Sequence, residues 1–469
     1  MSQTIIEQQP LFDTLPVGQD VIFTVSNVSV ITNPAFSRFK FQAEVHISNN
    51  EPPNTAVNTD VVGIFKTIPN NAGVGMFDFR AIIENFVKAD NLAREGSAYK
   101  EVVNTANSTV PMHLIDKYSG NLNTMRYLVI QFKTEYFDGT NIVTESAANS
   151  GTFKLMNGYL KYTDGLTLIG NNFGYNLENF EFNVINKTDK KFLTNAPNIQ
   201  YANKDDYGTM GLLMSNPLGV SANGSESIKF SYYDDNDVFI GGDTVEHNIA
   251  NGGFIYPNST IQAQTLFAGV FPANLRNWSS VFNIKLPTMA YYIFAVVNSS
   301  ITGMSSEYRI NINCPTLKGF EPIRLCWLNQ WGAWDYYTFT MKSSKMISTK
   351  GSTYEQLEGS WNDSTYKIDS FRGGKKAFRV NATEKITMNT DFISEAESTW
   401  FEELINSPEV YILDGFTDET STPDTALNKY VTPVRLITSS YTKKTVANDK
   451  LMQYTFEVEK SKTLRTQSI

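Results

Sequence analysis

Apolar and polar residues alternate with a two-residue period in several segments of the chain. Val21 to Val25 and Phe39 to Ile47 follow it, as strands with one buried face do. A Pro- and Asn-rich stretch, Asn49 to Asn58, separates them from Val61 to Ile68. Arg126 to Tyr136 is a further strand and runs into an Asp138-Gly139 hairpin turn. Ile228 to Tyr233 meets the turn Asp234 to Asp237 and returns through Val238 to Ile240. Tyr291 to Val297 and Tyr308 to Ile312 flank the Asn298 to Ser300 turn in the same way. Strands are also expected at Tyr336 to Met341, Ala377 to Asn381, Val431 to Thr438 and Leu451 to Glu459. In the last, Met452, Tyr454, Phe456 and Val458 share one face. Pro69 to Gly75, Gly170 to Tyr175 and Ala202 to Asn223 read as loops.

A helical period emerges in two places. Asp78 is placed as an N-cap before Phe79, Ile82, Ile83, Phe86 and Val87. Ser394 to Glu397 form a capping box before the stripe Trp400, Phe401, Leu404 and Ile405, and Pro408 follows the end. The expected fold is therefore mainly β: a multi-domain β-sandwich or β-barrel with two isolated helices. Pattern shifts near Ser150 and Cys314 suggest an N-terminal β domain with one helix (1–150), a β-sandwich domain (151–314) and a C-terminal β domain with one helix (315–469).

Composition supports a packed protein. Aromatics make up 13% of the 469 residues and charged residues 19%, against about 25% charged in an average soluble domain. The net charge is -9. Residues from Thr316 onward carry 19 basic and 20 acidic side chains, so the acidic excess sits in the first two-thirds. Neither part has the basic footprint of a nucleic-acid binder. The longest apolar run, Met289 to Val297, falls short of the ~20 residues of a spanning helix, so no membrane-spanning segment is expected. The N-terminus has no basic and apolar leader pattern, which points to synthesis in the cytoplasm. Cys314 and Cys326 read as buried thiols rather than a disulfide framework.

Catalytic chemistry leaves little trace. His46, His113 and His247 sit in no nucleophile or metal motif. No Gly-x-Ser-x-Gly elbow and no P-loop occurs, and Gly73-Val74-Gly75 lacks the third glycine of a dinucleotide fingerprint. Asp234, Asp235 and Asp237 have no glycine where a calcium loop needs one, and read as a solvated hairpin tip. Trp327, Trp331, Trp334 and Trp361 cluster in sequence; a core role is favoured over sugar stacking. Arg372, Lys375, Lys376 and Arg379 form a basic segment, read as a solvated face. No catalytic, cofactor-binding or metal-binding residue is assigned, and enzymatic activity is not expected. A carboxylate pair for glycan hydrolysis has no fixed sequence spacing to search for.

The segment Arg324 to Phe339, with Trp327, Asn329, Gly332, Trp334 and Asp335, resembles a pattern in virion structural proteins of tailed bacteriophages, including those of Bacteroidetes hosts. There, a strand ending in Trp-Leu-Asn leads to Gly-x-x-Asp and an aromatic strand. The Ser394 helix with Trp400, then Tyr430 to Val434, Tyr441 to Thr445 and the closing strand, is similar to the β-domains of tail-tube and distal-tail proteins. A weaker likeness lies at Pro69 to Asp78. The resemblance covers Cys314 to Glu459 and implies a structural part of the neck, tail or baseplate, hence location in the virion. It also implies cyclic rings of copies of this chain and contacts with neighbouring tail or neck proteins, and the acidic excess of the first two-thirds suggests a lumen that DNA crosses without specific binding. A receptor- or carbohydrate-binding tail module is the alternative, and a tail-associated glycan hydrolase a third.

Overall fold

The computed structural model describes residues 3–49, 53–56, 60–89, 91–93, 111–121, 123–169, 172–182, 190–214, 226–246, 264–298, 305–313, 319–360, 364–369, 371–413, 431–440, 442 and 452–465. The protein is mainly β, built from several sheets. It divides into two compact units. The first comprises Met1–Asn313, Leu328–Asp335 and Phe416–Leu427, and the second Cys314–Trp327, Tyr336–Gly415 and Asn428–Ile469.

The first unit opens as a sandwich. The strands Ile5–Gln8, Ile22–Ser26 and Val74–Asp78 form a three-stranded antiparallel sheet. It faces a larger sheet in which Thr14–Pro16, Phe153–Met156, Met125–Phe137, Ser37–Ser48 and Val61–Thr67 lie side by side. The alternation seen in sequence points Phe23, Val25 and Phe77 of one sheet toward Phe41, Val45, Ile130 and Phe132 of the other. Phe23 is the hub: its ring lies 5.8 Å from Phe79, 5.6 Å from Phe132 and 5.6 Å from Phe153.

The same unit continues with a five-stranded sheet ordered Ile199–Asn203, Tyr308–Asn313, Tyr291–Asn298, Glu226–Tyr233 and Phe239–Glu246. Two short helices, Pro272–Trp278 and Ser280–Lys285, accompany it, and Phe282 packs on Tyr232 and Tyr292. Strands from either side of residue 150 share sheets: Phe153–Met156 pairs with Thr14–Pro16 and with Met125–Phe137, and Gln264–Gly269 pairs with Tyr118–Asn121. Residues 1–150 and 151–313 accordingly fall in one unit.

The second unit holds a seven-stranded sheet, except that Leu328, Trp334 and Asp335 of its strands count with the first unit. Its order is Trp334–Phe339, Ile323–Leu328, Val410–Leu413, Val431–Leu436, Thr455–Lys460, Gly374–Asn389 and Ser343–Gln356. The helix Glu395–Asn406 covers it. Its capping box is complete: Ser394 Oγ accepts the Glu397 N–H, and the Glu397 carboxylate accepts the Ser394 N–H at 2.7 Å. Trp400, Phe401 and Leu404 are buried, and the Phe401 ring lies 5.4 Å from that of Phe456 in the sheet, tilted by 31°.

Four expectations need correction. No sheet among the described residues closes into a barrel. The described residues hold five α-helices rather than two. The helix expected over Phe79 to Val87 is only Arg80–Ile83; Phe79 is its N-cap, and Asp78 ends the strand Val74–Asp78 while its carboxylate still accepts the Arg80 N–H. The loops expected at Gly170 to Tyr175 and Ala202 to Asn223 contain the strands Asn172–Tyr175 and Thr209–Met214, held by pairing with Leu166–Ile169 and Gln264–Gly269.

Candidate interaction surface

The turn between Ile323–Leu328 and Trp334–Phe339 is locked by its own side chains. Asn329 Oδ1 accepts the backbone N–H groups of Trp331 and Ala333, each at 3.0 Å, and its Nδ2 donates to the Leu193 carbonyl at 2.8 Å. Gly332 adopts φ +75°, and a Cβ there would stand 1.8 Å from the Asn157 carbonyl oxygen. Only glycine fits such an approach. Trp331 Nε1 donates to Asn195 Oδ1 at 3.1 Å while its ring lies 4.3 Å from Phe180. Trp334 meets His113 edge-on at 4.7 Å. The Thr194 hydroxyl donates to buried Asp335 at 2.6 Å.

These contacts all lie within the first unit. Trp327 belongs to the second, where its ring lies 4.9 Å from Trp400 and 6.0 Å from Phe401. The tryptophans that cluster in sequence thus serve two cores. Trp327, Trp331, Trp334 and Trp400 are buried, so none offers an open face to a sugar. Trp361 and Cys314 lie outside the described residues. Cys326 is a fully buried thiol, and burial pushes its pKa up. His46 is buried with its Nε2 3.2 Å from Glu44 Oε1; His113 is buried against Trp334; His247 lies outside the described residues.

The acidic tip Asp234 to Asp237 is a self-contained turn. Asp234 Oδ1 accepts the N–H groups of Asn236 and Val238, and Asp237 accepts the Tyr291 hydroxyl at 2.7 Å. Among the described residues no group of three or more His, Cys, Asp or Glu is disposed to hold a metal ion. No described helix is long and apolar enough to cross a membrane. A polar cavity of about 550 Å³ is lined by Asp164, Asn176, Lys191, Asn195, Tyr308 and Trp331, but its aromatic rings are covered.

A two-stranded arm of the second unit is uncovered over its outer half among the described residues. Ser343–Gln356 pairs antiparallel with Gly374–Asn389 from Ser343↔Met388 to Gln356↔Gly374, with one bulge at Phe378. At a rise of ~3.3 Å per residue the arm is about 45 Å long. Its inner end is flanked by Thr455–Lys460, which pairs with residues 385–389. The outer half, Lys350 to Gln356 with Gly374 to Asn381, has no third strand among the described residues. Leu357 (68% exposed), Ile368 (72%) and Phe371 (73%) stand open at the far end, and Phe378 and Val380 along the shaft. Arg372, Lys375 and Arg379 are exposed beside them, and Lys376 is half-buried. Residues 343–389 carry eight basic and five acidic side chains in a chain that is acidic as a whole.

A second uncovered apolar feature belongs to the first unit. A groove of about 710 Å³ is lined by Pro10, Leu11, Phe12, Ile22 and Phe173, with Glu7 and Asp20 among its lining residues. The hairpin Leu166–Ile169/Asn172–Tyr175 is set closely against Phe12: a Cβ on Gly174 would come within 2.8 Å of that ring.

The sequence reading found the basic segment and the strand Ala377 to Asn381 but missed Ser343–Gln356. That strand is rich in Ser, Thr and Lys and buries neither face, so it shows no alternation. A signal does exist: fourteen residues with no Pro, Asn or Asp to break them, closed beyond the turn by Gly373-Gly374. No protein-family model matches the sequence, and no curated protein matches it.

Proposed function

We propose that this protein is a non-catalytic structural component of a tailed-phage virion, forming part of a neck, tail or baseplate ring through self-association and contacts with neighbouring tail proteins. The arm carries the reading. An isolated two-stranded hairpin is marginally stable in water, and three strands or a covering layer are needed to hold one. This arm is long, exposed on both faces over its outer half, and set with large apolar side chains. Covering one exposed Leu, Ile or Phe is worth about 1.5–3 kcal/mol, so burying the far end alone offers several kcal/mol to an assembly. An exposed edge strand also invites pairing with another chain. The acidic excess of the first two-thirds suits a channel wall that DNA passes without sticking, since basic contacts are what hold DNA.

The test is the mass of the full chain in solution by light scattering and analytical ultracentrifugation. The wild type should form a closed oligomer. Ile368→Asp combined with Phe371→Asp should return it to monomer with an unchanged circular dichroism spectrum. A wild type that stays monomeric at every accessible concentration would sink the proposal. It would also favour the receptor-binding alternative.

A further inference from the structure

We infer that the polar cavity lined by Asp164, Lys191 and Trp331 binds the hydroxyl-rich end of a glycan. The inference goes beyond the ring reading and does not depend on it. All of the cavity's lining residues belong to the first unit. At about 550 Å³ it falls inside the range of roughly 300–1,000 Å³ that small-ligand pockets occupy. Its walls are held by contacts that leave polar groups for a ligand. Gln330 Nε2 donates to Asp164 Oδ2 at 2.6 Å, and Gln330 Oε1 accepts the Lys161 N–H at 3.2 Å. The Asp164 carboxylate is thereby oriented through one oxygen, and its Oδ1 accepts from no protein donor among the described residues. Asn176 Oδ1 accepts the Glu178 N–H at 2.8 Å, which leaves its Nδ2 to donate. The Lys191 N–H is tied to the Asn179 carbonyl at 2.9 Å, while its ammonium is exposed and makes no ion pair among the described residues.

These groups select the ligand. An ionised carboxylate only accepts hydrogen bonds and an ammonium only donates them, whereas a hydroxyl does both. An anion such as phosphate would be repelled by Asp164, and a cation by Lys191. Neighbouring hydroxyls on one sugar ring suit both, donating to Asp164 and accepting from Lys191. Asn176, Asn198, Thr167 and Ser306 line the same cavity, and their amides and hydroxyls can meet a sugar hydroxyl in either role. A free amino acid could span the two charges but would leave most of these neutral groups unused. Trp331, Phe180 and Tyr308 line the cavity with buried rings, so recognition rests on hydrogen bonds and not on stacking.

The experiment is saturation-transfer NMR on the full chain with glucose, galactose, mannose, rhamnose and N-acetylglucosamine as probes, and with glutamate as the zwitterionic probe. At least one sugar should receive saturation from the wild type. Asp164→Asn and Lys191→Met should each weaken that binding about tenfold or more, because each removes a hydrogen bond to a charged group, while the circular dichroism spectrum stays unchanged. Asp164 also holds Gln330, so its variant could fail to fold; Lys191→Met removes only an exposed side chain and decides the matter by itself. Transfer to none of the sugars overturns the inference. So does sugar binding that Lys191→Met leaves as strong as in the wild type, since the sugar then sits elsewhere. Transfer to glutamate with none to the sugars overturns it as well, and assigns the cavity to a zwitterion.

Discussion

Single residues set the turn at 329–333 with little tolerance. Asn329 satisfies two backbone donors and reaches a third group with its amide, and Gly332 accepts a backbone that an L side chain would strain. Gly332→Ala should lower stability by about 1–3 kcal/mol from the left-handed conformation alone. Expulsion of the Asn157 carbonyl adds to that, and a shift of the urea midpoint measures the total. Cys326 makes a separate case. Its thiol is fully buried and its pKa pushed up, and the thiolate is the reactive form. Iodoacetamide at neutral pH should leave Cys326 unmodified in the native protein and label it in denaturant, as peptide mass mapping would report. Labelling of the native protein at Cys326 would contradict its burial.

At the level of elements, the helix Glu395–Asn406 and the arm are opposites. The helix announces itself because its stabilisation is local and periodic: a capping box at one end, then a buried stripe at helical spacing. Ser394→Ala should cost about 1 kcal/mol through the lost cap. Trp400→Ala should cost about 3–5 kcal/mol, because the ring is buried among Trp327, Phe401 and Tyr337 and leaves a cavity. Chemical denaturation separates the two magnitudes, and equal effects would mean that the cap, not the core, governs the helix. The arm has no such signature, because its strands are fixed by pairing across an intervening segment rather than by a buried face. Asn172–Tyr175 departs from the expected loop for a related reason: Asn and Gly favour turns, yet cross-strand hydrogen bonds to Leu166–Ile169 hold these four residues extended.

For the whole molecule, buried proton donors tie stability to pH. Burial raises the pKa of Tyr232 and Tyr308, whose ordinary value is 10.0, and of Cys326, whose ordinary value is 9.0; the hydrogen bond to Asp243 adds to the shift at Tyr232. The folded protein therefore keeps protons that the unfolded chain releases. The stabilising contribution is complete below those ordinary values and is lost as pH rises above them. Each group contributes a slope of up to about 1.4 kcal/mol per pH unit in that window. Urea unfolding should show a stability falling from near pH 9.0 and more steeply above 10.0, and Tyr232→Phe should flatten the steeper part. A stability independent of pH up to 11 would require these hydroxyls to be solvated, against their burial.

The alternating strands around Phe23, Phe41 and Phe132, the Asp138-Gly139 turn, the capped Trp400 helix and the mainly β class were legible in the sequence. Each rests on interactions between near neighbours or on a face that must be buried, and both leave a period in the chain. Tertiary structure alone decided which strands pair across residue 150 and which core each tryptophan joins. It also decided that Ser343–Gln356 and Gly374–Asn389 pair into an arm whose outer half has no third strand among the described residues. These outcomes depend on partners distant in sequence, and hydrogen bonds between backbones carry no residue pattern by which such partners could be recognised in advance.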